Sequence, residues 1–427
     1  MKMFLTTAVA ASLSILSIVP ISLAVPAPIR RFKLGVRQTQ VSAQGTTWTL
    51  SDKYEGQNFF DGWDFFKDDD PTHGFVQYQP EDVAKSQSLA VVGEDGVVTL
   101  SVDDKSTPPQ GTTVSDDNPY KRSAVRITTK KRYNGGLFIA NFSMMPDGCS
   151  TWPAYWYVHR AQIGRLLAST LNHRLCPLTH PTVHPTGELD ILEGVNGQGS
   201  NKLSAHTGPT CSLQVNPSDI LGTPPATMPQ SCDHQPGCGV SDTTPSSFGS
   251  AFNKAGGGIL VHRWTSQKIE VWHFKHEDAP QDIANGAPNP DGWGKPQFML
   301  GGDQCEIPKN FVDNSLIINT SLCGDWAGGA WADSTCNKKP DGTPLTCAEA
   351  VADPKMFTDA KWKINFIHVY QSGDSQVQAN GGNPSLATTT SSTASSTVAQ
   401  DLASDPTPGS SPSLQSNGDD GAPSSSG

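Results

Sequence analysis

The chain has 427 residues, with 41 Asp and Glu against 30 Lys and Arg and a formal net charge of −11. Such an acidic balance offers no basic surface from which counterions could be released, so a phosphate-backbone binder is excluded and no nucleic-acid partner is expected. Beyond the N-terminal stretch no apolar run is long enough to cross a bilayer, so no membrane partner is expected either.

Residues 1–24 read as a signal peptide. Lys2 supplies a positive start, "FLTTAVAASLSILSIVPI" an apolar stretch, and "SLA" at 22–24 a small-residue cleavage site. Residues 25–44, with adjacent Arg30 and Arg31, read as a propeptide or linker. Export makes the nine cysteines disulfide formers, and an odd count leaves one of them over. The sequons Asn141-Phe-Ser and Asn319-Thr-Ser would be glycan acceptors outside the cell.

From 45 to 371 the pattern is β. "GVVTLSVD" and "GGLFIANFSM" alternate or run apolar between glycines, and "GGILVHRWTSQKIEVWHFK" reads as a hairpin about a polar "TSQK" turn. "WKINFIHVYQ" reads as a last, closing strand. Long helical periodicity is nearly absent, and Gly and Pro punctuate short segments. The fold class is therefore all-β, a sandwich or barrel.

The stretch "GELDILEG" (187–194) sets Glu188, Asp190 and Glu193 among Leu189, Ile191 and Leu192. In a strand, side chains alternate faces, so Glu188 and Asp190 share one face and Glu193 points to the other. One extra residue between Asp190 and Glu193, taken up as a β-bulge, returns Glu193 to the face of the other two acids. Convergent carboxylates suit glycoside hydrolysis, where one attacks or stabilises the anomeric carbon and the other protonates the leaving oxygen. Their repulsion raises one carboxyl toward the neutral, proton-donating form. A calcium site and an ordinary half-exposed strand are the rival readings of the same six residues.

Six segments, in order, widen the basis: "YEGQNFFDGWDFFKDDDPTHGFVQY" (54–78), "GCSTWPAYW" (148–156), "GELDILEGVN" (187–196), "SAHTGPTC" (204–211), "CGDWAGGAW" (323–331) and "KINFIHVYQ" (363–371). Together they resemble glycoside hydrolase family 16, and within it the fungal secreted endo-1,3(4)-β-glucanases of the laminarinase type. The resemblance covers roughly 45–371 and implies a β-jelly-roll sandwich with a substrate cleft across a concave sheet. It implies Glu188 as nucleophile, Glu193 as general acid/base and Asp190 as assisting carboxylate, in a double displacement with retention. It places His206 near the catalytic face, with a structural hydrogen-bonding role as the alternative. Trp152 and Trp156, and with less support Trp326 and Trp331, are candidates to stack on sugar rings, core packing being the alternative. The implied partner is a β-glucan, acted on by a monomer with no cofactor and no metal. A transglycosylase of the same fold and a non-catalytic glucan-binding module are the competing functions.

One segment departs from the family. Residues 157–186 are some twenty longer than the resemblance implies and hold Cys176 and four of the eleven histidines. His173, Cys176, His180 and His184 invite a zinc reading, but structural zinc sites more often carry paired cysteines. Removing Cys176 leaves an even eight. From about 372 to 427 the chain is Ser-, Thr- and Pro-rich, without aromatic residues, Lys or Arg, and reads as a disordered, O-glycosylated tail. We predict that about twenty residues of 157–186 are translated intron: peptide mapping of the naturally secreted protein should lack most of the stretch. Recovery of Cys176-containing peptides from active enzyme would overturn this.

Overall fold

The structure, a computed structural model, describes residues 46–159, 187–233 and 236–373. The signal, propeptide and tail expectations, and most of the 157–186 segment with Cys176, lie outside them.

Two antiparallel sheets face each other. One has eight strands, in spatial order Phe298–Gly301, Lys268–Phe274, Gly258–Trp264, Gly136–Met144, Lys361–Gln371, Val98–Ser101 and Ala90–Val92, with Thr49–Glu55 also pairing to Lys361–Gln371. The other has seven: Cys238–Asp242, Asn201–His206, Glu188–Glu193, Thr151–His159, Asn314–Leu322, Arg126–Thr129 and Trp63–Phe65. The hairpin read from "GGILVHRWTSQKIEVWHFK" is present, and its turn is closed by the Thr265 N–H donating to the Lys268 carbonyl at 3.0 Å. The final strand lies in the interior of its sheet, between Gly136–Met144 and Val98–Ser101.

Burial explains why the two sheets differ in sequence. Every residue of Gly258–Trp264 is buried. Leu260 and Trp264 face the core between the sheets, while Ile259 and Val261 pack outward under Trp272, Ile283 and Trp293. A strand covered on both faces has no need of polar alternation. The seven-stranded sheet is covered by its partner on one face, through Tyr155, Tyr157, Leu189, Leu203, Leu316 and Ile318. Its other face holds the polar residues of the candidate site.

Among the described residues all eight cysteines are paired: 149–336, 211–305, 232–238 and 323–347. In the chain-entropy view a crosslink stabilises more the longer the loop it closes. The 187-residue separation of Cys149 and Cys336 is thus worth about 5 kcal/mol, and the 6-residue separation of Cys232 and Cys238 about 2 kcal/mol. Cys149–Cys336 and Cys323–Cys347 hold the segment carrying Trp326 against the ends of two sheet strands. No helix among the described residues is long and apolar enough to cross a membrane.

One sequence expectation is corrected here. Asn319 is only 7% exposed, its Oδ1 accepts from Trp156 Nε1 at 2.8 Å, and its Nδ2 reaches the Tyr78 hydroxyl at 3.4 Å. The sequon is intact but its amide is committed inside the fold. Asn141 is partly exposed, with its Oδ1 accepting from Asn365 at 2.6 Å. Enzymatic deglycosylation in heavy-oxygen water, which marks formerly glycosylated asparagines, should never label Asn319; a label there would show that folding tolerates a glycan at this position.

Candidate active site

The Glu188–Glu193 strand lies between Asn201–His206 and Thr151–His159. Its pairing with the latter slips by one residue: Asp190 opposes Trp156, but Leu192 opposes Tyr155. Ile191 is the extra residue. The slip lets Leu189, Ile191 and Leu192 all reach the core, each fully buried, and it leaves Glu193 with the other acids.

Glu188 sits directly opposite His206, and His206 Nε2 forms an ion pair with Asp190 Oδ2 at 3.4 Å. Donor atoms of Glu188, Asp190 and His206 all lie within 4.8 Å of one another. Two carboxylates and an imidazole do not form the six- to eight-oxygen cage that calcium requires. Trp152 donates its indole N–H to Glu193 Oε1 at 2.9 Å and meets Trp326 edge to face at 5.6 Å. Trp156, opposite Asp190, donates to Asn319 and lies 5.4 Å from the Arg126 guanidinium.

For Trp331 the burial favours the alternative of core packing. It is 8% exposed, donates its N–H to the Leu345 carbonyl at 2.7 Å and packs with Tyr78, Leu322 and Phe357 in a second core. Its rings are spent on packing, so the structure does not bring it to the acids as a stacking surface.

Crowding sets the proton affinities. Burial, helped by the Asp190 charge and opposed by His206 and Arg126, raises Glu188 to about 7. Burial, then Asp190, hold Glu193 well above the ordinary glutamate range, against the Trp152 hydrogen bond; Glu188 adds to the rise and His206 opposes it. Burial alone would lower the His206 pKa, but Asp190, Glu188 and Glu193 outweigh it and raise it to about 9. Glu193 therefore leans toward its protonated form beside a positively charged His206, while His206 and Arg126 favour the ionised form of Glu188. That is a proton donor beside a carboxylate base or nucleophile.

Three further residues had no sequence signal. Arg126, buried between Phe66 at 4.7 Å and Trp156, favours the ionised form of Glu188. Asn196, in the left-handed region at φ 55°, accepts from the Ser150 N–H at 3.1 Å and donates to the Ala327 carbonyl at 2.8 Å, tying the turn after the acids to the Trp326 segment. Asn201 contacts the bulge itself.

The profile described as "XgeA-like, catalytic GH16 domain" matches residues 63–164 and 178–370. The chain belongs to glycoside hydrolase family 16. An endo-1,3(4)-β-glucanase of Arthroderma benhamiae is 38% identical over 338 residues, covering 77% of this chain and 65% of that protein. A probable endo-1,3(4)-β-glucanase of Aspergillus fumigatus is 34% identical over 333 residues, covering 77% and 46% respectively. The chain thus spans between about half and two thirds of the length of these relatives. Among solved structures, Laminarinase 16A of Phanerochaete chrysosporium, with 6-O-glucosyl-laminaritriose in donor and acceptor sites, superposes with a TM-score of 0.63 at 31% identity, covering 76% of this chain and all of that one. An elongating family 16 β-1,3-glucosyltransferase gives 0.62 at 32% identity, with the same coverage. The sandwich is accordingly the jelly roll of family 16, and residues 165–177, with Cys176, fall outside the profile match.

Replacing Asp190 by Asn keeps its shape and removes its charge. In Asp190→Asn, His206 should titrate below about 9 and Glu188 below about 7, since Asp190 raises both. NMR titration of the ring and the carboxyl would show it; an unmoved His206 would exclude Asp190 as its main partner.

Proposed function

We propose that this family 16 chain is an exported endo-β-glucanase, acting as a monomer without a cofactor on β-1,3 or mixed β-1,3/1,4 glucan. The observation that carries the reading is the displaced register at Ile191, which joins Glu193 to Glu188 and Asp190 on the free face of the sheet. The names of the relatives and the four disulfides support the substrate class and an oxidising, extracellular setting.

In this reading the ionised Glu188 attacks the anomeric carbon while Glu193 gives its proton to the departing glycosidic oxygen. A glycosyl-enzyme ester forms and the C–O bond to the leaving chain breaks. Glu193, now a carboxylate, takes a proton from water, whose oxygen displaces Glu188, and retention results. Asp190 and His206 keep Glu188 oriented and hold charge beside it. Trp152, Trp156 and Trp326 are the ring surfaces for glucose, whose C–H faces stack on indole.

The solved glucosyltransferase favours a second reading, since a sugar hydroxyl could replace water in the last step with the same two acids. Mass analysis of products from laminarin separates them: lengthened chains mean transfer, and net release of reducing ends means hydrolysis.

Glu188→Ala should abolish turnover on laminarin, and azide with an activated aryl glycoside should restore a product of inverted configuration. Glu193→Ala should lose about 10²–10⁴-fold on laminarin and much less on the activated glycoside, which needs no protonation. Near-normal activity of Glu188→Ala would remove it as nucleophile.

A further inference from the structure

A bulge leaves backbone groups without ladder partners, and those groups must be satisfied if the bulge is to persist. The Asn201–His206 strand pairs with Glu188, Leu189 and Asp190 and stops there. Past that point the side chain of Asn201 takes over. Its Oδ1 accepts from the Glu193 backbone N–H at 2.8 Å, and its Nδ2 donates to the Ile191 carbonyl at 2.8 Å. A carboxamide carries the same acceptor and donor as a peptide group, so it continues the ladder across the two sides of the extra residue.

Asn201 is itself held. It is 1% exposed and opposes Asp242 in the next strand. Its backbone N–H donates to Ser247 Oγ at 3.2 Å, and that hydroxyl donates to the Asp242 carbonyl at 2.7 Å. The two hydrogen bonds it makes to the bulge are therefore made from a fixed platform.

We propose that Asn201 is the positioning residue for Glu193: its carboxamide locks the bulge and so sets the direction of the Glu193 side chain, leaving Glu188 to the regular ladder. The proposal rests on the reading of Glu193 as the general acid. Its consequence is selective. Loosening the bulge misdirects the proton donor and spares the nucleophile, because Glu188 and Asp190 remain paired to His206 and Ser204. A displacement of about 1 Å at a reacting group costs on the order of a hundredfold in rate.

The test compares two substrates in the full-length enzyme: laminarin, whose leaving oxygen needs a proton, and 2,4-dinitrophenyl β-laminaribioside, whose leaving group does not. Asn201→Ala should lose on the order of a hundredfold in kcat/KM on laminarin while nearly keeping its kcat/KM on the aryl glycoside, a ratio that reports formation of the glycosyl-enzyme and not its hydrolysis. Asn201→Asp keeps an acceptor for the Glu193 N–H and loses the donor to Ile191, so its loss should be smaller and equally selective. Equal losses on both substrates would overturn the proposal, as would failure of both variants to fold by circular dichroism, since the contact would then hold the sheet together and not aim a carboxyl. Glu193→Gln is the control: if it shows no dependence on leaving group, the reading of Glu193 fails, whatever Asn201 does.

Discussion

A strand that alternates strictly cannot bury three aliphatics and present three acids when the order is E-L-D-I-L-E. The single slipped register at Ile191 resolves that conflict, and the rest of the site depends on it. Without the slip, Leu192 would stand among the carboxylates and Glu193 would enter a core of Leu189, Leu203 and Leu316. An ionised carboxylate there would cost several kcal/mol or hold its proton permanently. With the slip, the same six residues anchor the strand from behind and arm it in front. The bulge is also the point where the flanking strand stops pairing, which is why an asparagine side chain, and not a peptide group, meets it.

The acids are crowded in a partly dry place, so the electrostatics follow from position. Asp190 is the most buried of the three, and its charge touches every other titration in the cluster. It raises both glutamates and stabilises the imidazolium of His206. His206 and Arg126 then pull Glu188 back toward ionisation, whereas the pull of the Trp152 indole N–H and of His206 on Glu193 works against repulsion from both Asp190 and Glu188. Two chemically identical side chains thus part in proton affinity because their neighbours differ. The asymmetry suits a pair in which one must be charged and the other protonated at the same moment.

Much of this could be read in the sequence, for identifiable reasons. Period-two patterning announces strands, and the break in parity between Asp190 and Glu193 announces the bulge, because both are local. The long hairpin was legible for the same reason. Asn201, Asn196 and Arg126 were not, since a lone asparagine or arginine has no period and its partner is chosen by how strands are ordered in space. Trp331 shows the converse limit: an indole near the end of a motif reads equally as sugar surface or core until its ring is found buried in the second core with Leu322 and Phe357. Asn319 failed likewise, because a sequon records three residues and not the burial of the first. Cysteine parity fared better, as the eight cysteines other than Cys176 pair among themselves.

The two sheets divide the work according to which faces are covered. The eight-stranded sheet is packed on its inner face and, around Gly258–Trp264, on its outer face as well, which makes that part of it a rigid backing. The seven-stranded sheet is packed on one side, so its free face can hold charge. There the side walls need support that a sheet alone does not give. Cys149–Cys336 and Cys323–Cys347 bind the Trp326 segment to the strand ends, and Asn196 ties the same segment to the turn that follows Glu193. The indole of Trp326 therefore reaches Trp152, and Trp152 reaches Glu193, through contacts that all start from strand ends fixed by the sandwich. Trp326, Trp152 and the Glu193 carboxyl share one support, so a change that frees the Trp326 segment must also loosen the partner that holds Glu193.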